Sequence, residues 1–401
     1  MAFTKKKGLE DIALLVRLNN EGVNIDTGIF KKLDYENEYL EQVHACFDWN
    51  FKNYVESKLP GGFRLKTTGF YSDVYWNPGS KLQIVENGDT FYLIEGKDKV
   101  WDEISFERKP AYYNKTTSDG KKMSKIVQAL SKGRLAVTYS NECSLKDRGK
   151  DCLFCNINDT KNRFGELEEL EWKNPQQIAE TIAEGYKEGY HGFNLTGGFV
   201  PERREAEYYL DVIEAVIDQV GTTDVHGMAC LGAPKDLSII EKYKEAGWQH
   251  IATNVEVWDK RMFEVICPGK VDVCGGHDHW VEALKHEVDV FGKGNVRSIL
   301  VAGLEPKESL MEGVEYLASI GVIAIPSIWK PCIGSSLEGH RSPESSWFQE
   351  IVERTANIHR KYGFTLEQTY YVYGADNIYQ YYHYLEGEHL PWENPLEIHA
   401  A

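Results

Sequence analysis

The segment Cys143-Ser144-Leu145-Lys146-Asp147-Arg148-Gly149-Lys150-Asp151-Cys152-Leu153-Phe154-Cys155 follows directly on a short apolar run at 135–139. The run reads as a β-strand, and the cysteines therefore fall on the loop at its carboxyl end. A C-x2-C pair offers two thiolates to neighbouring irons of a cubane cluster, and Cys143 offers a third. Three protein ligands leave one iron open to an external molecule. A structural zinc site is an alternative, although it usually takes four Cys or His ligands and no histidine is adjacent. A redox dithiol at Cys152 and Cys155 is another.

Outward from this loop, strand and helix patterns alternate. Helices are expected over 175–190, 203–220, 236–246, 280–290, 308–320 and 345–362, with strands at 192–195, 225–230, 250–254, 296–301 and 322–327. Asn174-Pro175 is a helix start, with Asn as the cap and Pro in the first turn. Six strand–helix units in series imply parallel strands with helical crossovers. A closed eight-stranded barrel needs about 250 residues. The expected fold is therefore α/β, a partial (β/α)6 TIM-type barrel over 131–365. An N-terminal α+β accessory region occupies 1–130, and a Tyr-rich extension 366–401. In the accessory region a helix is expected over 34–58, on the spacing of Leu40, Val43, Phe47 and Phe51. A hairpin is expected at 82–94, about Asn87-Gly88.

The formal net charge of −17 argues against a nucleic-acid partner. No apolar run reaches the roughly 20 residues that span a bilayer, and the first residues lack the apolar stretch of a secretory signal. The expectation is a cytoplasmic protein with no membrane partner. Eight cysteines in such a chain suit metal binding or burial better than disulfides.

Three later strand ends carry polar or glycine groups where a ligand would meet them: Thr196-Gly197-Gly198, Asn254-Val255-Glu256 and Gly303-Leu304-Glu305. The sixth strand leads through Ser327 to Gly334-Ser335-Ser336-Leu337. In this order the segments resemble the radical S-adenosylmethionine (SAM) superfamily, and within it the biotin synthase-like group. Phe154 stands where that superfamily commonly has an aromatic residue before its last cysteine. The C-x8-C-x2-C spacing departs from the usual C-x3-C-x2-C. The resemblance implies that Cys143, Cys152 and Cys155 hold a [4Fe–4S] cluster. It implies that Thr196, Gly197 and Gly198 meet the methionine amino group, with Phe199 in place of the family's acid and Glu202 nearby. Asn254 and Glu256 would bind the ribose hydroxyls, and Gly303 and Ser327 would line the adenine and sugar.

The same resemblance implies reductive cleavage of SAM to a 5′-deoxyadenosyl radical that takes hydrogen from a small metabolite or cofactor precursor. The electron would come from a donor such as flavodoxin or ferredoxin. A methyltransferase of the same superfamily and a non-catalytic cluster carrier are the alternatives, and a zinc-dependent barrel enzyme is a third. Biotin synthase's second-cluster cysteines correspond to Thr196 and Arg297, with Cys230 offset from the third, so a sulfur donor of that type is not expected. Arg297 and Lys330 are candidates for a carboxylate of SAM or substrate, and His226 is a further candidate on the third strand. Cys267, Cys274, His277 and His279, joined by Cys332, are candidates for an auxiliary metal or cluster.

Overall fold

A computed structural model describes residues 3–41, 58–130, 133–140, 142–157, 172–372 and 378–390. The amino-terminal part opens with helix α1 (Lys5–Glu21), capped by the Thr4 hydroxyl, and a short α2 (Thr27–Lys32). It continues as a sheet of β1 (Asn24–Ile25), β2 (Gly62–Leu65), β3 (Tyr71–Asp73), β4 (Leu82–Asn87), β5 (Thr90–Glu95) and β6 (Lys99–Phe106), in the order β1-β4-β5-β6-β2-β3. The expected hairpin is β4–β5. Asn87 pairs with Thr90, and Gly88 turns at a positive φ of 63° that glycine adopts without strain. The helix expected over 34–58 does not begin there. Asp34 instead accepts from the Asn37 N–H in a local turn, and Tyr39 and Glu41 form bridges to Arg108 and Pro60. The rest of that stretch, with Val43, Phe47 and Phe51, lies outside the described residues.

The second sheet is the expected half-barrel. Six parallel strands follow in sequence order: β8 (Arg134–Ser140), β9 (Phe193–Gly197), β10 (Gly227–Leu231), β11 (His250–Thr253), β12 (Val296–Ala302) and β13 (Val322–Ile328). A three-residue strand, β7 (Gln128–Leu130), joins the β8 edge antiparallel and makes the sheet seven-stranded. It is too short to show a period in the sequence. The crossovers are α4 (Pro175–Lys187), α5 (Glu202–Val220), α6 (Ile239–Ala246), a run of three helices after β11, and α10 (Lys307–Ser319), with α11 (Ser345–Lys361) after β13. Asn174 and Gln177 close the expected capping box on α4. The run after β11 consists of α7 (Lys260–Ile266), α8 (Pro268–Asp272) and α9 (Gly276–Phe291).

The strands show their two faces in their exposure. Leu135, Val137, Leu195, Ile251, Val296 and Val322 are fully buried towards the helices. Ala136, Thr138, Asn194, Thr196, Cys230, Ile299 and Ser327 are only half-buried, at alternating positions that line the concave side. That alternation marks the lumen.

Helices α12 (Leu366–Val372) and α13 (Ile378–Leu385) close the molecule. Tyr371 stacks on His226 at 3.7 Å and 8°, over the amino-terminal ends of the strands. The Tyr381 hydroxyl accepts from the Tyr71 N–H at 2.8 Å, and its ring stacks on Phe70 at 3.9 Å. The carboxyl-terminal helices thus tie the barrel floor to the first sheet. Among the described residues no helix is long and apolar enough to cross a membrane.

Candidate active site

The cysteine loop leaves β8 at Ser140 and lies over the carboxyl ends of the strands. Its eight-residue spacer begins with a short helical turn, α3 (Ser144–Asp147), of which Cys143 is the amino-terminal cap position. Gly149 turns the spacer back at a φ of 65°. Three neighbouring segments hold the loop. The Ser144 N–H donates to Phe199 O at 2.7 Å, beside the Gly197-Gly198 turn. The Leu153 N–H donates to Ile266 O at 2.8 Å, at the end of α7. From the loop after β13, the Leu337 N–H donates to Leu153 O at 3.1 Å, and Ile333 O accepts from the Asn156 amide at 3.1 Å. Lys150 also pairs with Asp272 of α8 at 2.9 Å.

These contacts explain the glycines. A Cβ at Gly198 would stand 2.0 Å from Glu142 O, and one at Gly197 2.5 Å from the Tyr139 ring. A Cβ at Gly269 would stand 2.3 Å from Lys150 O. Backbone passes backbone so closely at Gly198 and Gly269 that a side chain has no room. Gly303 adopts a φ of 114°, and a Cβ there would stand 2.5 Å from Pro343.

All three cysteines of the loop are half-buried. The Cys155 N–H donates to Cys152 O at 3.0 Å, closing the turn between them. Cys152 also meets the buried Cys267, whose thiol hydrogen bond holds the Cys152 thiol below its usual range, with Lys270 assisting against burial. Cys267 itself is pushed well up, by that same bond and by burial. Among the described residues no three Cys, His, Asp or Glu side chains converge as the ligands of one metal ion. A cubane takes one thiolate at each of several irons, so its ligands stand wider apart than those around a single ion. Three thiols on one clamped loop suit that chemistry.

Across the mouth, Lys270 of α8 reaches to the end of β11. Its ammonium donates to Asn254 O at 2.7 Å and to Glu256 Oε1 at 3.3 Å, and lies 4.1 Å from the centre of the Trp280 ring. Burial raises the Glu256 carboxyl above its usual range, opposed by Lys270 and Arg297. Glu256 has a φ of 71°, a conformation uncommon outside glycine, fixed by backbone bonds to Ile299 and Val301. Asn254 is engaged as well: Oδ1 accepts from the Ile299 N–H at 3.0 Å, and Nδ2 lies 3.7 Å from Cys230 Sγ. Arg297 is buried below them, with Nη2 3.5 Å from Cys230 Sγ. Thr196 and Ser327 stand half-buried in the lumen wall.

Several sequence candidates lie elsewhere. Lys330 donates to Asn19 O and Oδ1, at 3.0 and 2.6 Å, and so fastens the barrel to α1 rather than facing the lumen. His226 is at the opposite end of the strands, paired with Asp224 at 3.1 Å. Among the described residues, Cys267, Cys274, His277, His279 and Cys332, expected at an auxiliary site, do not converge as the ligands of one metal ion. His277 packs edge-on to Trp258 and Phe263, while His279, two positions along α9 and so on another face, meets Pro234 O at 2.8 Å. Cys274 and Cys332 are buried. Glu305 accepts from the Trp258 and Asp259 N–H groups, both at 2.8 Å, which ties β12's end to the start of α7. Sequence reasoning missed Lys270, because a lysine in Cys-Pro-Gly-Lys carries no sign of a partner before it in the chain.

No family model matches the chain. The chain is similar to the bacteriochlorophyllide c C-7(1)-hydroxylase of Chlorobaculum limnaeum, at 28% identity over 302 residues, 71% of this chain and 74% of that protein. It is similar over 143 residues, at 25% identity, to 5-amino-6-(D-ribitylamino)uracil–L-tyrosine 4-hydroxyphenyl transferase 2 of Methanosarcina barkeri, covering 33% of this chain and 34% of that protein. Among solved structures, methylornithine synthase overlays with a TM-score of 0.42 at 16% identity, covering 59% of this chain and 67% of that one. The FeFe-hydrogenase maturase of Carboxydothermus hydrogenoformans gives 0.43 at 18% identity, over 57% of this chain and 51% of that one. The alignment with the hydroxylase spans most of both chains, and the chain itself carries a six-stranded parallel half-barrel with a cysteine loop across its mouth.

Proposed function

We propose that Cys143, Cys152 and Cys155 hold a [4Fe–4S] cluster and that the chain uses SAM to break a C–H bond of a small-molecule substrate. With SAM bound, such a cluster supplies an electron for reductive cleavage of the sulfonium, and so a 5′-deoxyadenosyl radical that takes the substrate hydrogen. The chain's own residues do the rest. The clamped loop presents three thiols to the lumen mouth. Gly197 and Gly198 let the cysteine loop dock backbone to backbone, Lys270 bonds Glu256, the proposed ribose ligand, and Asn254, Thr196 and Ser327 line the wall. The helices around the half-barrel and the aromatic floor at Tyr371 keep bulk water from the strands.

The carrying observation is the docking of the cysteine loop on the Gly197-Gly198 turn, which joins the expected cluster ligands to the expected SAM contact. Hydroxylation, the activity named for the Chlorobaculum relative, also begins at a C–H bond and supports hydrogen abstraction over methyl transfer. A small protein such as flavodoxin or ferredoxin is the proposed electron donor. The test is product analysis of anaerobically reconstituted protein with SAM and dithionite. 5′-Deoxyadenosine is expected. S-adenosylhomocysteine would mean methyl transfer, and a reducible cluster with neither product would leave a cluster carrier.

A further inference from the structure

Cys230, Ala252 and Arg297 occupy one row of register across β10, β11 and β12. Adjacent strands stand about 4.8 Å apart, so Arg297 crosses about 10 Å of the concave face to bring Nη2 within 3.5 Å of Cys230 Sγ. The small Ala252 between them leaves the passage open. Among the described residues that thiol is its sole hydrogen-bond partner, it forms no salt bridge, and its Nε is buried without an acceptor. Arg134, at the start of β8, is the second buried guanidinium of this floor. It donates to Tyr370 O at 2.5 Å, its Nη2 has no acceptor among the described residues, and it feels the charge of Arg297. Burial lowers Arg134 only to about 10, so it stays charged at neutral pH. The nearby carboxylate, Glu256, has its hydrogen bond with Lys270.

A buried guanidinium without an acid costs several kcal/mol and is rarely kept unless something anionic completes it. Here two stand below the half-buried residues of the concave face, in a chain whose net charge is −17. We propose that Arg297, supported by Arg134, is a carboxylate receptor in the lumen floor, and that the substrate is a carboxylate-bearing small molecule whose acid group it anchors. The inference rests on the radical SAM reading for the location of the reacting centre, at the mouth above. A bidentate guanidinium–carboxylate contact would fix the substrate's depth and turn a chosen C–H bond upwards.

The same chemistry has a second source, the carboxylate of SAM itself. The test uses the reconstituted full chain, propionate with propionamide as its uncharged counterpart, and SAM with decarboxylated SAM. Propionate, at matched ionic strength, is expected to raise the melting temperature of the wild type, and propionamide is not. Arg297→Met should lose this response and, without ligand, melt no lower than the wild type, because it removes an unpaired buried charge. Arg297→Lys should keep part of the response. Equal effects of propionate and propionamide on the wild type would overturn the proposal. A tenfold loss of SAM affinity in Arg297→Met, with decarboxylated SAM unaffected, would assign the carboxylate to the cosubstrate and overturn it too. The melting readout does not depend on SAM cleavage. A chain that responds to propionate yet forms no 5′-deoxyadenosine would therefore sink the catalytic reading and leave the receptor standing.

Discussion

Lys270 donates to Glu256 at 3.3 Å across the mouth of the half-barrel, from a short helix to the end of a strand 14 residues earlier. The two side chains are 10% and 15% exposed, so the pair is screened little by water. Removing one partner of a buried ion pair costs about 3–5 kcal/mol, whereas replacing both by uncharged groups is often neutral. Lys270→Met should therefore destabilise the protein by about that amount, and Lys270→Met/Glu256→Gln should recover most of it. Urea unfolding of the four proteins of the cycle measures the coupling. A double variant as unstable as the single one would show that Lys270 acts through Asn254 and Trp280 instead.

The closest backbone approach in the site is at Gly198. A Cβ there meets Glu142 O and Glu142 C, at 2.0 and 2.7 Å, and neither atom is the end of a flexible side chain. Gly198→Ala should displace the loop between Ser140 and Cys143, cost about 3 kcal/mol, and lower the iron bound after reconstitution. Gly339→Ala is the control, because a Cβ there meets nothing within 4 Å. Iron per chain and the melting temperature are the measurements. Normal iron in Gly198→Ala would mean that the cluster ligands do not depend on how the loop docks.

The barrel was legible because strand and helix patterns alternate at similar lengths, and its first crossover helix starts at a readable cap, Asn174-Pro175. Helix α1 was not, since the unbroken apolar run Ile12-Ala13-Leu14-Leu15-Val16 obscures the helical period. The site was legible only in part. Strand-end residues such as Asn254 and Gly198 can be placed from the alternation alone. Lys330 sits at a strand end too, but its partner Asn19 is 311 residues away and no local pattern announces it. Lys270 and the Arg297–Cys230 contact are likewise products of tertiary packing. Helices α7 and α8 are short and read as loop, although they carry the residues that brace the cysteines.

Glu287 of α9 offers a pH test. Its carboxyl is fully buried against β11, where Thr253 Oγ1 donates to Oε1 at 2.5 Å and Oε2 has no partner among the described residues. Burial pushes its pKa from an ordinary 4.5 to about 8, against the Thr253 bond. The folded state then holds a proton that the unfolded chain has released. Its contribution is complete below the unfolded value and is lost as pH rises through the folded one. Stability should fall between about pH 4.5 and 8, by at most about 1.4 kcal/mol per pH unit from this group. Glu305, pushed up by burial to about 7, acts in the same direction, so the difference between wild type and Glu287→Gln isolates Glu287. That difference should favour the variant increasingly towards pH 8. Parallel stability curves for the two proteins would refute the buried proton.

The proximity of Cys267 to Cys152, which shifts both thiols, makes the ligand set testable residue by residue. Cys152 is half-buried on the clamped loop, while Cys267 is wholly buried at the junction of α7 and α8. If the triad is the cluster site, Cys267 stands beside a ligand without being one. Cys143→Ala, Cys152→Ala and Cys155→Ala should each lose most of the iron after anaerobic reconstitution, together with the reduced-cluster electron paramagnetic resonance signal. Cys267→Ala should keep both, at a stability cost of roughly 1 kcal/mol for the small cavity. Iron lost as completely from Cys267→Ala as from Cys152→Ala would move the fourth corner of the cluster onto the helix junction and close the position reserved for SAM.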